Sequence, residues 1–215
     1  YKAHILEGYG LSEGTCASSA NFPLPGRRKI GSIGVPLKGQ EMIIVDDGDN
    51  ELPSGKIGEI AVRGENVMKG YVNNPKATEE ALRNGWLHTG DLGYRDEDGF
   101  FFIVGRKKEM IIRGGENIYP KEVEEVIYLH PSIREAAIVG VPDRVWGEEV
   151  ALFLALKEGA GLDAGQCLSF LRERAADYKC PRSEKYVVFM NELPKTPTGK
   201  IKKHELREIW TKSHE

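Results

Sequence analysis

Read from its periodicities, this sequence predicts an α+β protein: a small β-rich subdomain followed by a compact α+β domain, with the boundary near Arg106 to Glu109. Three observations carry that expectation. Short strand-like runs separated by tight-turn residues fill residues 41–106, and strand and helix patterns alternate from Lys107 onward. A content of 40% hydrophobic residues in 215 is enough for one large core or two small ones.

The elements follow in order. "EMIIVD" and "KIGEIAVRG" read as the strands of a hairpin around the turn-forming "DGDNELPSG". "PKATEEALRNG" reads as a short helix, with Pro75 at its start, acidic residues in its first turn and Gly85 just past its end. "LGYRD" and "GFFFIVGR" form a second hairpin around the Asp/Gly turn at residues 96–99. From Pro120 to Leu129, Val123, Val126 and Ile127 recur at helical spacing, and Pro120 suits the first helical position. "REAAIVGVPD" and "EEVALFLALK" are strand-like, residues 163–177 read as a helix, "KYVVFM" as a strand and "KKHELREIW" as a final helix. No repeat or low-complexity segment interrupts this pattern.

Thirty basic residues against 33 acidic ones give a formal net charge of -3, with no excess to neutralise a phosphate backbone, so nucleic acid is not expected as a partner. Cys16, Cys167 and Cys180 are odd in number and spaced unlike a metal or disulfide framework; they read as reduced thiols of a cytoplasmic protein. No apolar run reaches the roughly 20 residues that span a bilayer, and the first residues lack the basic start and apolar stretch of a secretory leader. The opening "YKAHILEGYG" lacks an initiator Met and reads as the middle of a strand and loop, as in a fragment of something longer. Charged and apolar faces alternate on the final helix, which suits a dimer or solvent equally and leaves the oligomeric state open.

Four stretches carry residue types with chemistry. In "YGLSE", Tyr9 to Glu13, an aromatic face suited to stacking on a purine, a hydroxyl able to donate to a phosphate oxygen and a carboxylate able to hold Mg²⁺ lie together; a loop with a Ser/Glu helix cap looks the same. "GWLHTGD" ends in Asp91, and Arg106 follows further on: a carboxylate accepts both hydroxyl protons of a ribose, and a guanidinium braces the same diol. The plain alternative is a turn residue and a surface charge. Against it, Arg106 ends a strand where the texture changes between domains, and clefts between domains are common ligand sites. "RGGENI" supplies Gly114 and Gly115, which permit positive φ and close approach of the backbone to a ligand, as a plain turn also does; its spacing matches neither a P-loop nor a dinucleotide fingerprint. "PKTPTGKIKK" places Lys200 on a Pro/Thr/Gly loop ahead of the last helix, either as a semi-rigid arm with one cationic tip or as a linker whose lysines keep it soluble.

Taken in order, "YGLSE", "WLHTGD", "GRKKEMIIRGGENIYPKEVE" and "PKTPTGK" resemble the successive motifs of the adenylate-forming superfamily, which includes acyl-CoA synthetases, luciferases and the adenylation domains of peptide synthetases. The resemblance runs through essentially the whole chain. It implies that residues 1–107 are the C-terminal part of a large AMP-binding domain and residues 108–215 its small mobile C-terminal domain. It also implies a reaction in two halves: an acid and ATP give an acyl-adenylate and pyrophosphate, and a thiol then attacks the adenylate to give a thioester and AMP. By motif, Tyr9 would stack near the adenine, Ser12 would contact the α-phosphate, Glu13 would help bind Mg²⁺, and Asp91 and Arg106 would hold the ribose hydroxyls. Lys108 falls at the hinge position, where members of the family carry Asp or Lys. Lys200 matches the lysine that stabilises charge on the phosphoryl oxygens as the carboxylate attacks, and that must leave before the thiol arrives. Gly114 and Gly115 would then leave room for the pantetheine arm.

The family's Gly/Ser/Thr-rich phosphate loop and most of its acid-binding pocket are absent from these 215 residues, which implies that the chain alone is inactive or nearly so. "GGENIYPKEVE" and "LPKTPTGKI" look closest to the acyl-CoA synthetase branch, so the expectation is a fatty-acid–CoA ligase using ATP/AMP, Mg²⁺ and CoA. The alternatives are an adenylation domain loading a carrier protein and a non-catalytic module that binds a nucleotide or a partner. No carrier domain follows Lys200, which favours free CoA, and no Ser-Lys-Leu peroxisomal ending is present.

Overall fold

The computed structural model describes residues 5–214; residues 1–4, with the first part of the "YKAHILEGYG" opening, and residue 215 lie outside the described residues. Contacts within the chain divide it into two compact units, Tyr1–Lys107 and Lys108–Glu215.

In the first unit, β1 (Gly8–Tyr9), β2 (Ser19–Ala20) and β3 (Val35–Pro36) form a small antiparallel sheet in that order. β4 (Gln40–Val45) and β5 (Gly58–Gly64) make the expected hairpin, followed by α1 (Pro75–Ala81), β6 (Leu82–Arg83), β7 (Trp86–Arg95) and β8 (Phe101–Arg106). Their sheet runs β4-β5-β7-β6, with β8 pairing to β7. Alternation along these antiparallel strands puts Met42, Ile44, Ile60, Val62, Leu87 and Phe101 into one core.

Two details differ from the sequence reading. α1 stops at Ala81 with no acidic residue in its first turn, and its start is fixed instead by the Asn74 side chain, which accepts the Ala77 N–H at 3.1 Å. Gly85 does not close the helix. Asn84 and Gly85, at φ 52° and 79°, form a two-residue hairpin turn that brings β6 back onto β7.

The second unit begins with a hairpin of β9 (Ile111–Arg113) and β10 (Glu116–Ile118), then α2 (Pro120–Ile127), β11 (Ile133–Asp143), β12 (Gly147–Leu156), α3 (Ala164–Arg172), β13 (Val187–Phe189) and α4 (Lys203–His214). The sheet order is β10-β9-β12-β11, with β13 parallel to β12. On one face Ile138, Leu152 and Leu154 pack with Val123, Ile127 and Leu171 from α2 and α3; on the other, Val139 and Phe153 pack with Leu206 and Trp210 from α4. A sheet covered on both faces is why β11 and β12 read as near-continuous apolar runs. The apolar face of α4 is therefore used inside its own unit.

α3 is shorter than the 163–177 reading, because Asp163 lies outside it as the cap and the helix ends at Arg172. The Asp163 carboxylate accepts the Gln166 N–H at 2.8 Å while the Gln166 side chain accepts the Asp163 N–H at 3.1 Å, a reciprocal capping box. α2 likewise stops two residues before Leu129, leaving Leu129 and Tyr128 exposed.

Among the described residues no helix is long and apolar enough to cross a membrane. Cys16 is exposed, while Cys167 and Cys180 are buried free thiols; burial pushes the Cys167 thiol up to about 12. Asp163→Ala is expected to lower stability by about 1 kcal/mol, read as a lower urea midpoint with an unchanged slope; an unmoved midpoint would assign the start of α3 to packing alone.

Candidate active site

Asp91 is the centre of the arrangement in the first unit. It faces Arg106 across the β7–β8 pair, and its Oδ1 lies 3.0 Å from Arg106 Nε in an ion pair. Its Oδ2 accepts the Tyr9 hydroxyl at 2.6 Å. The Asp91 side chain is 9% exposed and the Arg106 side chain 53%, so the carboxylate is nearly buried while the guanidinium reaches solvent. A carboxylate has about four lone-pair sites; the Tyr9 hydroxyl takes one and the Arg106 guanidinium stands at the other oxygen, which leaves acceptor capacity over. Burial, and after it the bond to Asp91, raises the Tyr9 phenol well above its ordinary pKa.

A bulge aims Asp91. Between the pairs Ala61↔His88 and Glu59↔Leu92, the single residue Ile60 of β5 stands opposite Thr89, Gly90 and Asp91 of β7. Such bulges bend a strand and redirect its side chains. Thr89 stitches this one down: its hydroxyl donates to the Ile60 carbonyl at 2.7 Å and accepts the Asp91 N–H at 3.1 Å.

Beside it, "YGLSE" folds as β1 followed by a 3-10 turn, Ser12–Gly14. The Leu11 carbonyl accepts the N–H groups of Gly14 and Cys16, and the chain doubles back so tightly that a Cβ on Gly10 would lie 1.5 Å from the Cys16 carbonyl oxygen. Ser12 is exposed and Glu13 half-buried. Glu13 Oε1 accepts the Tyr71 hydroxyl at 2.8 Å, a bond that raises the Tyr71 pKa, whereas Oε2 carries no hydrogen bond among the described residues. One open carboxylate oxygen fits Mg²⁺, which takes one or two carboxylates with phosphates and waters. No caging cluster of three or more His, Cys, Asp or Glu occurs among the described residues. Tyr71, Thr89 and Gly10 were not singled out by sequence reasoning. Tyr71 meets Glu13 from 58 positions away in a segment without periodicity, so nothing local marks it.

In the second unit the two glycines of "RGGENI" have different tasks. Both have positive φ, 59° at Gly114 and 89° at Gly115, as the β9–β10 turn requires. A Cβ on Gly114 would lie 2.5 Å from the Trp146 ring, and the Gly114 N–H donates to the Trp146 carbonyl at 2.9 Å; beside Gly115 the space is open. The room at Gly114 thus belongs to Trp146. Arg113 fixes the base of the turn, reaching the fully buried Glu149 carboxylate at 3.1 Å and the Cys180 carbonyl at 2.9 Å.

Lys200 follows a turn closed by Thr196 N–H to the Lys200 carbonyl at 2.8 Å and Lys202 N–H to the Pro194 carbonyl at 2.8 Å. Its neighbours are tied down: Lys195 to Glu135 at 2.6 Å, Lys202 to Glu205 at 2.7 Å, Lys203 to Glu124 at 2.8 Å. Lys200 is exposed and has no ion pair among the described residues. Lys108, exposed in the 3-10 turn Lys107–Glu109, lines with Lys200, Ile138, Ile201 and Arg207 a cavity of ≈ 380 Å³.

Comparison with known proteins gives two family matches: the AMP-binding enzyme family over residues 1–72 and the AMP-binding enzyme C-terminal domain over residues 122–200. The chain is 48% identical over 211 residues to a long-chain-fatty-acid–CoA ligase of Bacillus subtilis, covering 98% of this chain and 37% of the relative. It is 42% identical over 215 residues to an oxalate–CoA ligase of Saccharomyces cerevisiae, covering 99% and 39%. Among solved structures it is similar to ATP-bound MatB from Rhodopseudomonas palustris, with a TM-score of 0.89, 38% identity, and coverage of 98% of this chain and 41% of that one. The chain spans about two-fifths of the length of the curated relatives it matches.

Tyr9→Phe removes the donor to Asp91 Oδ2 and is expected to cost about 1–3 kcal/mol at neutral pH. Because folding raises the Tyr9 pKa, this contribution is complete below the unfolded phenol's value of about 10 and is lost as pH rises above it. Urea unfolding at about pH 7 and about pH 11 checks both points: the gap between parent and variant narrows at the higher pH, and a constant gap contradicts the bond.

Proposed function

This chain belongs to the adenylate-forming superfamily of AMP-binding enzymes, and from that premise we propose that the whole protein is an ATP-dependent acid–CoA ligase. It would convert an acid, ATP and CoA to acyl-CoA, AMP and pyrophosphate through an acyl-adenylate. The observation that best supports this reading is the Asp91–Arg106 pair, a nearly buried carboxylate with lone pairs to spare beside a half-exposed guanidinium, the pairing a ribose diol needs.

In this reading the diol hydroxyls donate to Asp91, and Arg106 braces the same diol. Tyr9 turns its ring to the adenine while its hydroxyl stays on Asp91. Ser12 donates to the α-phosphate. Glu13 holds Mg²⁺ through the oxygen that Tyr71 leaves open, and the ion when bound supplies positive charge to the phosphate oxygens. As the acid's carboxylate oxygen bonds to the α-phosphorus and the bond to pyrophosphate breaks, charge grows on the phosphoryl oxygens, and the unpaired Lys200 ammonium neutralises it. In the second half-reaction the CoA sulfur bonds to the acyl carbon and AMP leaves. Lys108 serves as the hinge between the two halves, and the open space beside Gly115 takes the pantetheine arm, with Gly114 reserved for Trp146.

The finer reading is a fatty acid as substrate and the cytoplasm as the place of work; the match at 48% identity to a fatty-acid ligase and the three free thiols support these choices. An oxalate ligase matches at 42%, so the selection of the acid does not reside in what this chain shares with both.

Mass spectrometry of the products that the full-length protein makes from ATP, Mg²⁺, CoA and a panel of long-chain, short-chain, aromatic and dicarboxylic acids tests the proposal. A long-chain acyl-CoA is expected. Acyl-AMP without a thioester would move the acceptor to a carrier protein, and no adenylate from any acid would sink the ligase reading. Lys200→Ala is expected to slow acyl-AMP formation by about 10²–10³-fold while leaving thioester formation from supplied acyl-AMP close to the parent; equal loss in both halves contradicts its assigned role. The 215 residues alone should give no pyrophosphate exchange.

A further inference from the structure

We infer that Glu59 is a positioning residue for the diol clamp, a buried carboxylate that holds the Gly90 backbone N–H on one side of the Asp91–Arg106 pair and the Lys107 ammonium on the other. The inference rests on the ribose-binding reading of that pair. Glu59 lies on β5 and is 6% exposed. Its Oε1 accepts the Gly90 N–H at 2.9 Å, and Gly90 immediately precedes Asp91. Its Oε2 lies 3.2 Å from Lys107 Nζ, and Lys107 immediately follows Arg106. One side chain therefore holds the β7 backbone at the residue before the carboxylate and pairs with the ammonium of the residue after the guanidinium.

The bulge explains why a carboxylate is needed here. Where three residues of β7 face one of β5, the regular ladder is broken and the Gly90 N–H points at the Glu59 side chain instead of a strand carbonyl. A buried N–H without an acceptor costs a large share of a hydrogen bond's worth. An unpaired buried carboxylate would itself be unstable, and Glu59 has two cationic neighbours, Lys107 and, at 4.0 Å from Oε2, Arg83 Nη2, with the His88 ring, Nδ1 at 3.4 Å, beside them. Arg83 Nη2 also lies 2.9 Å from His88 Nδ1 and 2.9 Å from Asp49 Oδ1, so the cluster is shared rather than a single pair. Asp47 meets Lys107 as well, at 2.8 Å, but its side chain is 92% exposed and makes a weak anchor.

Glu59 touches neither Asp91 nor Arg106 in the proposed chemistry; it acts on where they stand. Losing it should loosen nucleotide binding and leave the chemical step at saturating ATP nearly intact. The test uses the full-length protein, with AMP binding by calorimetry and the adenylation half-reaction measured for Glu59→Ala, Glu59→Gln and Lys107→Gln. Glu59→Ala is expected to raise the AMP Kd and the ATP KM by about tenfold, with kcat within about threefold. Glu59→Gln keeps an acceptor for Gly90 and should recover most of that loss. Lys107→Gln, changed at a half-exposed position, should raise the AMP Kd about threefold without moving the urea midpoint, and it carries the test if Glu59→Ala does not fold. Parent-like AMP affinity in Glu59→Ala, or in Lys107→Gln where that variant decides, overturns the inference, as does a fall in kcat with KM unchanged. A parent protein that neither binds AMP nor forms an adenylate overturns the ribose reading and this inference with it, whereas an active parent with indifferent variants overturns this inference alone.

Discussion

A carboxylate that is 9% exposed has to find partners inside the protein, and Asp91 finds them on two other elements. Tyr9 comes from β1 and Arg106 from β8, while the Thr89 hydroxyl holds the Asp91 backbone on the bulge of β7. Residues 82 and 15 positions away in the sequence are thereby drawn to one point, and the small three-stranded sheet is tied to the five-stranded one through the Tyr9 hydroxyl. The "YGLSE" turn, with Ser12 and Glu13 following Tyr9, is registered against the Asp91–Arg106 pair because Tyr9 belongs to both. The polar centre organises this unit as much as the Met42–Ile44–Ile60 core does.

The second unit solves a different problem. Its sheet is covered on both faces, so nearly all of β11 and β12 is fixed by packing and little of either strand is left for chemistry. The residues with chemical potential sit on the turns at the margins of that frame: the Gly114–Gly115 turn, locked at its base by Arg113 on the buried Glu149, and the loop leading to Lys200. A rigid slab with short, pinned turns moves as one body, which suits a unit proposed to rotate about Lys108 more than a loose domain would.

Much of this was legible in the sequence, and the failures share a cause. The β4–β5 hairpin, the Pro75 and Pro120 helix starts and the apolar strands of the second unit follow from period and turn chemistry, which are local. The order of the motifs gave the family. What stayed hidden depends on register. Where Asp91 stands against Arg106 turns on two irregularities, the β5–β7 bulge between Glu59 and Ala61 and the β7–β8 register shift between Leu92 and Gly93, and no short-range pattern announces either. The hairpin strand read from "LGYRD" in fact starts at Trp86, so "WLHTGD" is the first part of a ten-residue strand. Glu59 falls in a run whose neighbours are apolar, so it resembles an ordinary outward-facing residue until the bulge brings Gly90 to it. Trp146 is far along the chain from Gly114, and the glycine pair suggested open space where one half is already filled by an indole.

The treatment of charge separates the two units most clearly. In the first, Asp91 has a partner at each oxygen, which fixes the direction of its carboxylate; such preorganisation would spare the proposed diol binding an ordering cost. Lys200 is the reverse case. Lys195, Lys202 and Lys203 are each held by a carboxylate, which keeps the flanks of the loop in place, but Lys200 itself is spared. A lysine that must serve one half-reaction and withdraw for the next would have to break any resident ion pair on every cycle, and that pair would compete with the phosphoryl oxygens for the same ammonium. Leaving its tip unpaired while fastening its neighbours gives an uncommitted charge, which would suit the transition-state role proposed for Lys200.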